Sequence, residues 1–105
     1  MTITADTGTQ TFIECDNATL LAQIGRWNVL ATSGGRILHR ETGITLPCGN
    51  GYSVTVDLAA GDTYTVRRIF TRAGKSWVKG EREGVYCEEI GETVYRAGCF
   101  RDEWE

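Results

Sequence analysis

Tyr52-Ser53-Val54-Thr55-Val56-Asp57-Leu58 is the stretch on which the fold turns. Tyr52, Val54, Val56 and Leu58 lie on one face of a strand, and Ser53, Thr55 and Asp57 on the other. That alternation describes a strand packed on one side and solvated on the other, as in an antiparallel sheet. Downstream, Tyr64, Val66 and Phe70 continue the apolar face, but Arg68 shares their parity. Either a bulge near Arg67-Arg68 resets the register or Arg68 sits at the sheet margin, and the bulge is preferred. Turn signals at Ser33-Gly34-Gly35, Pro47 to Gly51, Ala59 to Asp62 and Ala73-Gly74-Lys75 space the chain as an antiparallel meander. Weaker strands are expected at Asn28 to Thr32, Arg36 to His39 and Ser76 to Glu81.

Two helices flank the meander. Asp16 or Asn17 can cap a short helix over Ala18 to Ile24, because a short side-chain oxygen accepts an orphan backbone N–H of the first turn. Leu20, Leu21 and Ile24 supply its apolar stripe and Gly25 its stop. The segment Val85 to Gly98 reads as a second helix. Tyr86, Ile90 and Val94 form a stripe there, joined by Cys87 and Ala97, although Ile90-Gly91 could also turn a hairpin. Gly91 in a helix interior costs about 1 kcal/mol against Ala, which a close approach to a neighbouring element would offset. Glu92 and Arg96 form a favourable i, i+4 pair. The fold expected is α+β: an antiparallel sheet of about four to six strands with an N-terminal and a C-terminal helix packed on its apolar face.

The chain has 105 residues, 41% of them hydrophobic and 24% charged, with a single proline. That length fits one domain, residues 1–105, with mobile ends at 1–10 and 101–105. The first twelve residues hold no Lys or Arg and no apolar run, so no export signal is expected. Runs of consecutive apolar residues stop at three, far short of a membrane span. Four cysteines, Cys15, Cys48, Cys87 and Cys99, therefore read as reduced thiols of a cytoplasmic protein. They also lack the close pairs of a structural zinc site, and no metal or cofactor is expected.

The run Leu20-Leu21-Ala22-Gln23-Ile24-Gly25, a strand ending in Thr32-Ser33-Gly34-Gly35, the strand Gly51 to Leu58, and Val85-Tyr86-Cys87-Glu88-Glu89-Ile90 together resemble small uncharacterised proteins of bacteria, phages and mobile elements. The resemblance spans Ala18 to Cys99. It implies the order short helix, meander, closing helix and a cytosolic accessory role, and it lends no catalytic motif.

Catalytic constellations are thin. His39 is the sole histidine, which removes two-histidine metal sites, and the sequence does not bring it to Cys48 for thiol activation. Gly49-Asn50-Gly51 begins like a dinucleotide fingerprint but leads into a strand, with no helix dipole for a pyrophosphate. Glu88 and Glu92, one turn apart on the expected last helix, read as a solvated face.

Charge is segregated along the chain. Residues 1–25 carry three acids and no base, 26–80 eight bases and three acids, and 81–105 eight acids and three bases, for a net charge of −3. Arg67, Arg68, Arg72, Lys75 and Lys79, with Trp77 among them, could line a basic stripe with an aromatic platform for single-stranded nucleic acid. The acidic flanks would repel phosphate, so the leading expectation is different. It is a non-enzymatic interaction protein that binds a host protein and modulates a host or defence process. A long uncovered edge strand would also invite homodimerisation.

Overall fold

The computed structural model describes the backbone of residues 3–5 and 11–99, with side chains from Phe12 to Cys99. The expectation of mobile ends at 1–10 and 101–105 falls outside these residues, save for a short strand at 3–5. Two short strands, β1 (Ile3–Ala5) and β2 (Thr11–Ile13), pair antiparallel. Two helices follow, α1 (Asn17–Ile24) and α2 (Arg26–Ser33). Strands β3 (Leu38–His39), β4 (Gly43–Gly49), β5 (Tyr52–Leu58), β6 (Tyr64–Arg72) and β7 (Lys75–Val85) then form one antiparallel sheet in sequence order, and α3 (Ile90–Cys99) closes the chain.

The alternation in β5 holds on its inner face but not on the face expected in water, where Asp57 is only 3% exposed. Val54 and Val56 are fully buried and stand opposite Leu46 and Ile44 of β4. Val56 also faces Val66 of β6. Leu20, Ile24 and Val29 from the first two helices and Ile90, Val94 and Ala97 from α3 pack onto this face as a single cluster. The opposite face holds a polar clamp. Arg40 donates from Nη1 to Asp57 Oδ1 at 2.7 Å, from Nε to Thr45 Oγ1 at 2.9 Å and from Nη2 to the Ile44 carbonyl at 2.7 Å. Thr42 Oγ1 adds a second 2.7 Å bond to Asp57 Oδ1. A buried carboxylate so engaged ties β3, β4 and β5 together and is spent on structure.

Asp16 caps α1, accepting from the backbone N–H groups of Ala18 and Thr19 and from the Thr19 hydroxyl at 2.7 Å. The Thr19 bonds hold its carboxyl below the usual carboxylate range. Gly25, at φ 92°, ends α1 and serves as the N-cap of α2, so one residue separates the two helices. The strand expected at Asn28 to Thr32 is therefore wrong. These residues are helical, and their β-branched character is overridden because Val29 and Thr32 turn inward at helical spacing. Nor does Pro47 open a turn: it pairs with Ser53 inside β4, and a bulge follows at Cys48. Proline is tolerated there because β3 reaches only Thr45, leaving β4 an edge at that point.

The expected bulge near Arg67-Arg68 does not reset β6. Its register with β5 runs unbroken from Tyr52↔Phe70 to Leu58↔Tyr64. The irregularities instead lie in β7, at Lys79 and near Gly84, and Arg68 points into the interior at 1% exposed. The last helix starts later than expected. Val85 ends β7, Glu88 sits in the turn before α3, and the Glu88/Glu92 pairing on one helix is lost. Gly91 does provide close approach: a Cβ there would lie 2.6 Å from the Ile24 carbonyl oxygen. Among the described residues, no helix is long and apolar enough to cross a membrane.

Candidate functional site

The six residues of the expected basic stripe do not share a surface. Adjacent strand residues point to opposite faces, so Arg67 and Arg68 part company. Arg67 lies on the outer face, where its Nε donates to Glu81 Oε2 and its guanidinium covers the Phe12 ring at 5.2 Å. Arg68 is sealed inside. Its Nη1 donates to the Ala97 carbonyl at 2.6 Å, near the C-terminal end of α3, and its guanidinium lies 4.1 Å over the Tyr52 ring. A cation suits that position, because the last carbonyls of a helix carry partial negative charge. Arg68 therefore acts as a buried fastener for α3, inaccessible to any ligand.

Arg72, Lys75, Trp77 and Lys79 remain accessible at the β6–β7 hairpin, whose turn is Ala73-Gly74. Trp77, 47% exposed, stacks on Phe70 at 5.9 Å between centroids, and Phe70 meets Tyr52 at 4.9 Å. Lys79 Nζ lies 6.0 Å from the Phe70 centroid. Three rings from β5, β6 and β7 thus form a ladder with cations along it. Beyond β7 no further strand pairs among the described residues, so β7 is an edge of the sheet. Its two bulges and its charges at Lys75, Lys79, Glu81, Arg82 and Glu83 are devices that discourage pairing with another strand.

The groups considered for chemistry stand apart. His39 Nδ1 lies 3.4 Å from Asn17 Nδ2 at the β3 end of the sheet, whereas Cys48 Sγ donates to the Leu46 carbonyl at the far end of β4. Burial pushes the Cys48 thiol up from its ordinary value, which disfavours the nucleophilic thiolate. Glu92 is engaged by Arg96 Nε at 3.0 Å, the i, i+4 pair that the spacing implies. All four cysteines are free thiols. Among the described residues no group of three or more His, Cys, Asp or Glu could hold a metal ion.

A second surface went unread in the sequence. Trp27 on α2 is 79% exposed, and Leu30 and Leu38 nearby in the chain are also exposed. Leu30 also lines an apolar groove of about 450 Å³, together with Leu21 of α1, Arg26 and Val29 of α2 and Ile37 before β3. No ion pair engages Arg26 among the described residues. Reading residues 28–32 as a strand hid this surface. With α2 drawn as a helix, Trp27 and Leu30 fall one turn apart, away from buried Val29, Thr32 and Ser33. No family model matches the chain, and no curated protein or solved structure of significant similarity was found.

Proposed function

We propose that this chain is a protein-binding module without a reaction of its own, and that its contact surface is the α2 face carrying Trp27 and the adjoining groove. The occupant is a partner segment bearing an aliphatic or aromatic anchor next to a carboxylate. The single observation behind this reading is an open apolar groove lined by exposed Leu30, one helical turn from Trp27, which is 79% exposed. Contiguous exposed apolar surface marks interaction sites, and tryptophan is among the residues that dominate binding energy. Leu21, Val29 and Ile37 offer the anchor an apolar seat, and Arg26 offers an adjacent carboxylate its countercharge. The resemblance to phage and mobile-element proteins makes a host-cell protein, in a cytoplasmic setting, the expected partner.

A displayed library of random peptides, selected on the intact chain, tests this directly. The expected winners carry an apolar anchor with Asp or Glu within a few residues. Trp27→Ala should weaken them at least about 30-fold, the loss of about 2 kcal/mol expected at a hot spot. Arg26→Glu should weaken them severalfold, and both variants should melt like the parent. Winners that lack acids, or that bind Trp27→Ala unchanged, would discard the reading.

A second reading rests on the Tyr52–Phe70–Trp77 ladder with Lys79, Arg72 and Lys75 around it. Stacked rings with cations alongside suit single-stranded nucleic acid. Here log affinity for oligo-dT should fall linearly with log salt, and Trp77→Ala should abolish binding. No retention of oligo-dT at low salt removes this alternative.

A further inference from the structure

The second edge of the sheet meets the groove. Ile37, which lines it, directly precedes β3, and among the described residues no strand pairs beyond β3. The β3–β4 register runs without a bulge, unlike that of β6 with β7. Parity decides which backbone groups of this edge are free. Arg40 N–H donates to the Gly43 carbonyl at 2.8 Å, so these two residues form a hydrogen-bonded pair of the ladder. Leu38 and Thr45, two residues away on each strand, are the next such pair, and His39 and Ile44 between them are of the non-bonded kind. Residues of the non-bonded kind turn their own N–H and C=O groups away from the partner strand. His39 does so, and Ile37 follows at the same parity. Among the described residues no hydrogen bond engages the main chain of Ile37. The protein already uses this outward row once: Cys15 N–H donates at 3.0 Å to the carbonyl of Glu41, again of the same parity. That cover ends at Asn17, whose Nδ2 donates to the Arg40 carbonyl at 3.0 Å, and the groove end of the row is left open. The Ile37 side chain packs against the core cluster, on the face that carries α1 and α2.

Resting on the reading that the α2 groove is the contact surface, we propose that the partner segment enters in extended form and adds itself to the β3 edge as a further strand. Its main chain bonds to the outward N–H and C=O groups of Ile37 and His39, since an unpaired strand edge templates another strand. Its side chains alternate between faces. The apolar anchor turns toward Leu21, Val29 and Leu30, and its immediate neighbours turn to solvent. The carboxylate that meets Arg26 therefore stands two residues from the anchor, on the same face. A helical segment would carry it three or four residues away. Main-chain bonds supply affinity that any sequence can use, whereas the anchor and the acid supply the choice of partner.

The strongest winners of the displayed library are synthesised, and each of their backbone amides is N-methylated in turn, which removes a donor and leaves the side chain in place. Binding to the intact chain should fall roughly tenfold at two positions spaced i, i+2 and by no more than about twofold at the residue between them. The winners should place Asp or Glu two residues from the anchor. On the receptor, hydrogen exchange at the Ile37 and His39 amides should slow when the parent peptide binds, while Leu38, already paired with β4, should change little. Winners whose acid stands three or four residues from the anchor, winners that tolerate methylation at every position, or an Ile37 amide whose exchange is unchanged would each overturn the added strand and leave the groove reading standing. A library that yields no winner removes the groove reading and the added strand with it.

Discussion

Helix α2 has two sides with opposite fates. Toward α3 it is closed: a Cβ on Gly91 would stand 2.8 Å from Asn28 Nδ2 and 2.6 Å from the Ile24 carbonyl oxygen at the end of α1, and a Cβ on Gly98 would stand 2.7 Å from Thr32 Cγ2. Toward β3 it stays open, with a groove and an exposed tryptophan. Glycines at helical spacing let two helices approach until no room is left for a side chain, so that seam fixes the fold. The other side leaves Trp27 and Leu30 exposed, and it is there that we propose a partner docks. On the proposed function, stability and recognition would fall on different surfaces of one eight-residue helix.

Substitutions on and around the two sides should separate these assignments, in descending order of effect. Arg68→Ala removes the fastener beneath the end of α3 and leaves a void below Tyr52, so denaturant unfolding should reveal a loss of about 4 kcal/mol. A loss under about 1 kcal/mol would mean that α3 is held by its apolar stripe alone. Gly91→Ala should cost about 2 kcal/mol despite the better helix propensity of alanine, because the Ile24 backbone cannot step aside as a side chain can. An unchanged or raised midpoint would show that the seam can widen. Gly98→Ala should cost about 1 kcal/mol or less, since it meets only the Thr32 side chain, which can rotate. Trp27→Ala should shift stability by no more than about 0.5 kcal/mol while abolishing peptide capture. A large drop in its melting temperature would place Trp27 with the fold instead of the recognition surface.

Much of the architecture was legible locally. The alternation of β5, the Asp16 cap, the Leu20/Leu21/Ile24 stripe and the Gly25 stop are short-range signals, and each marks a real element. What escaped was decided by tertiary placement. Asn28 to Thr32 has strand-like composition but packs as a helix against α3 and β4. Pro47 looks like a turn until the shortness of β3 makes β4 an edge. The basic stripe fared worst. Its parity clash was visible at Arg68, yet an arginine buried against a helix end cannot be inferred without knowing that the helix ends there. Trp27 carries no signal at the strand period; only the helical period sets it on one face with Leu30.

The single residue at Gly25 between α1 and α2 has a mechanical corollary. Leu21 stands on one side of that corner and Val29 and Leu30 on the other, with Leu20 and Ile24 of α1 sunk in the core. The corner has no slack, so the recess arrives already shaped. A peptide entering it would give up its own freedom while the receptor gives up almost none. Association should then follow simple one-step kinetics, with free and bound receptor nearly superimposable.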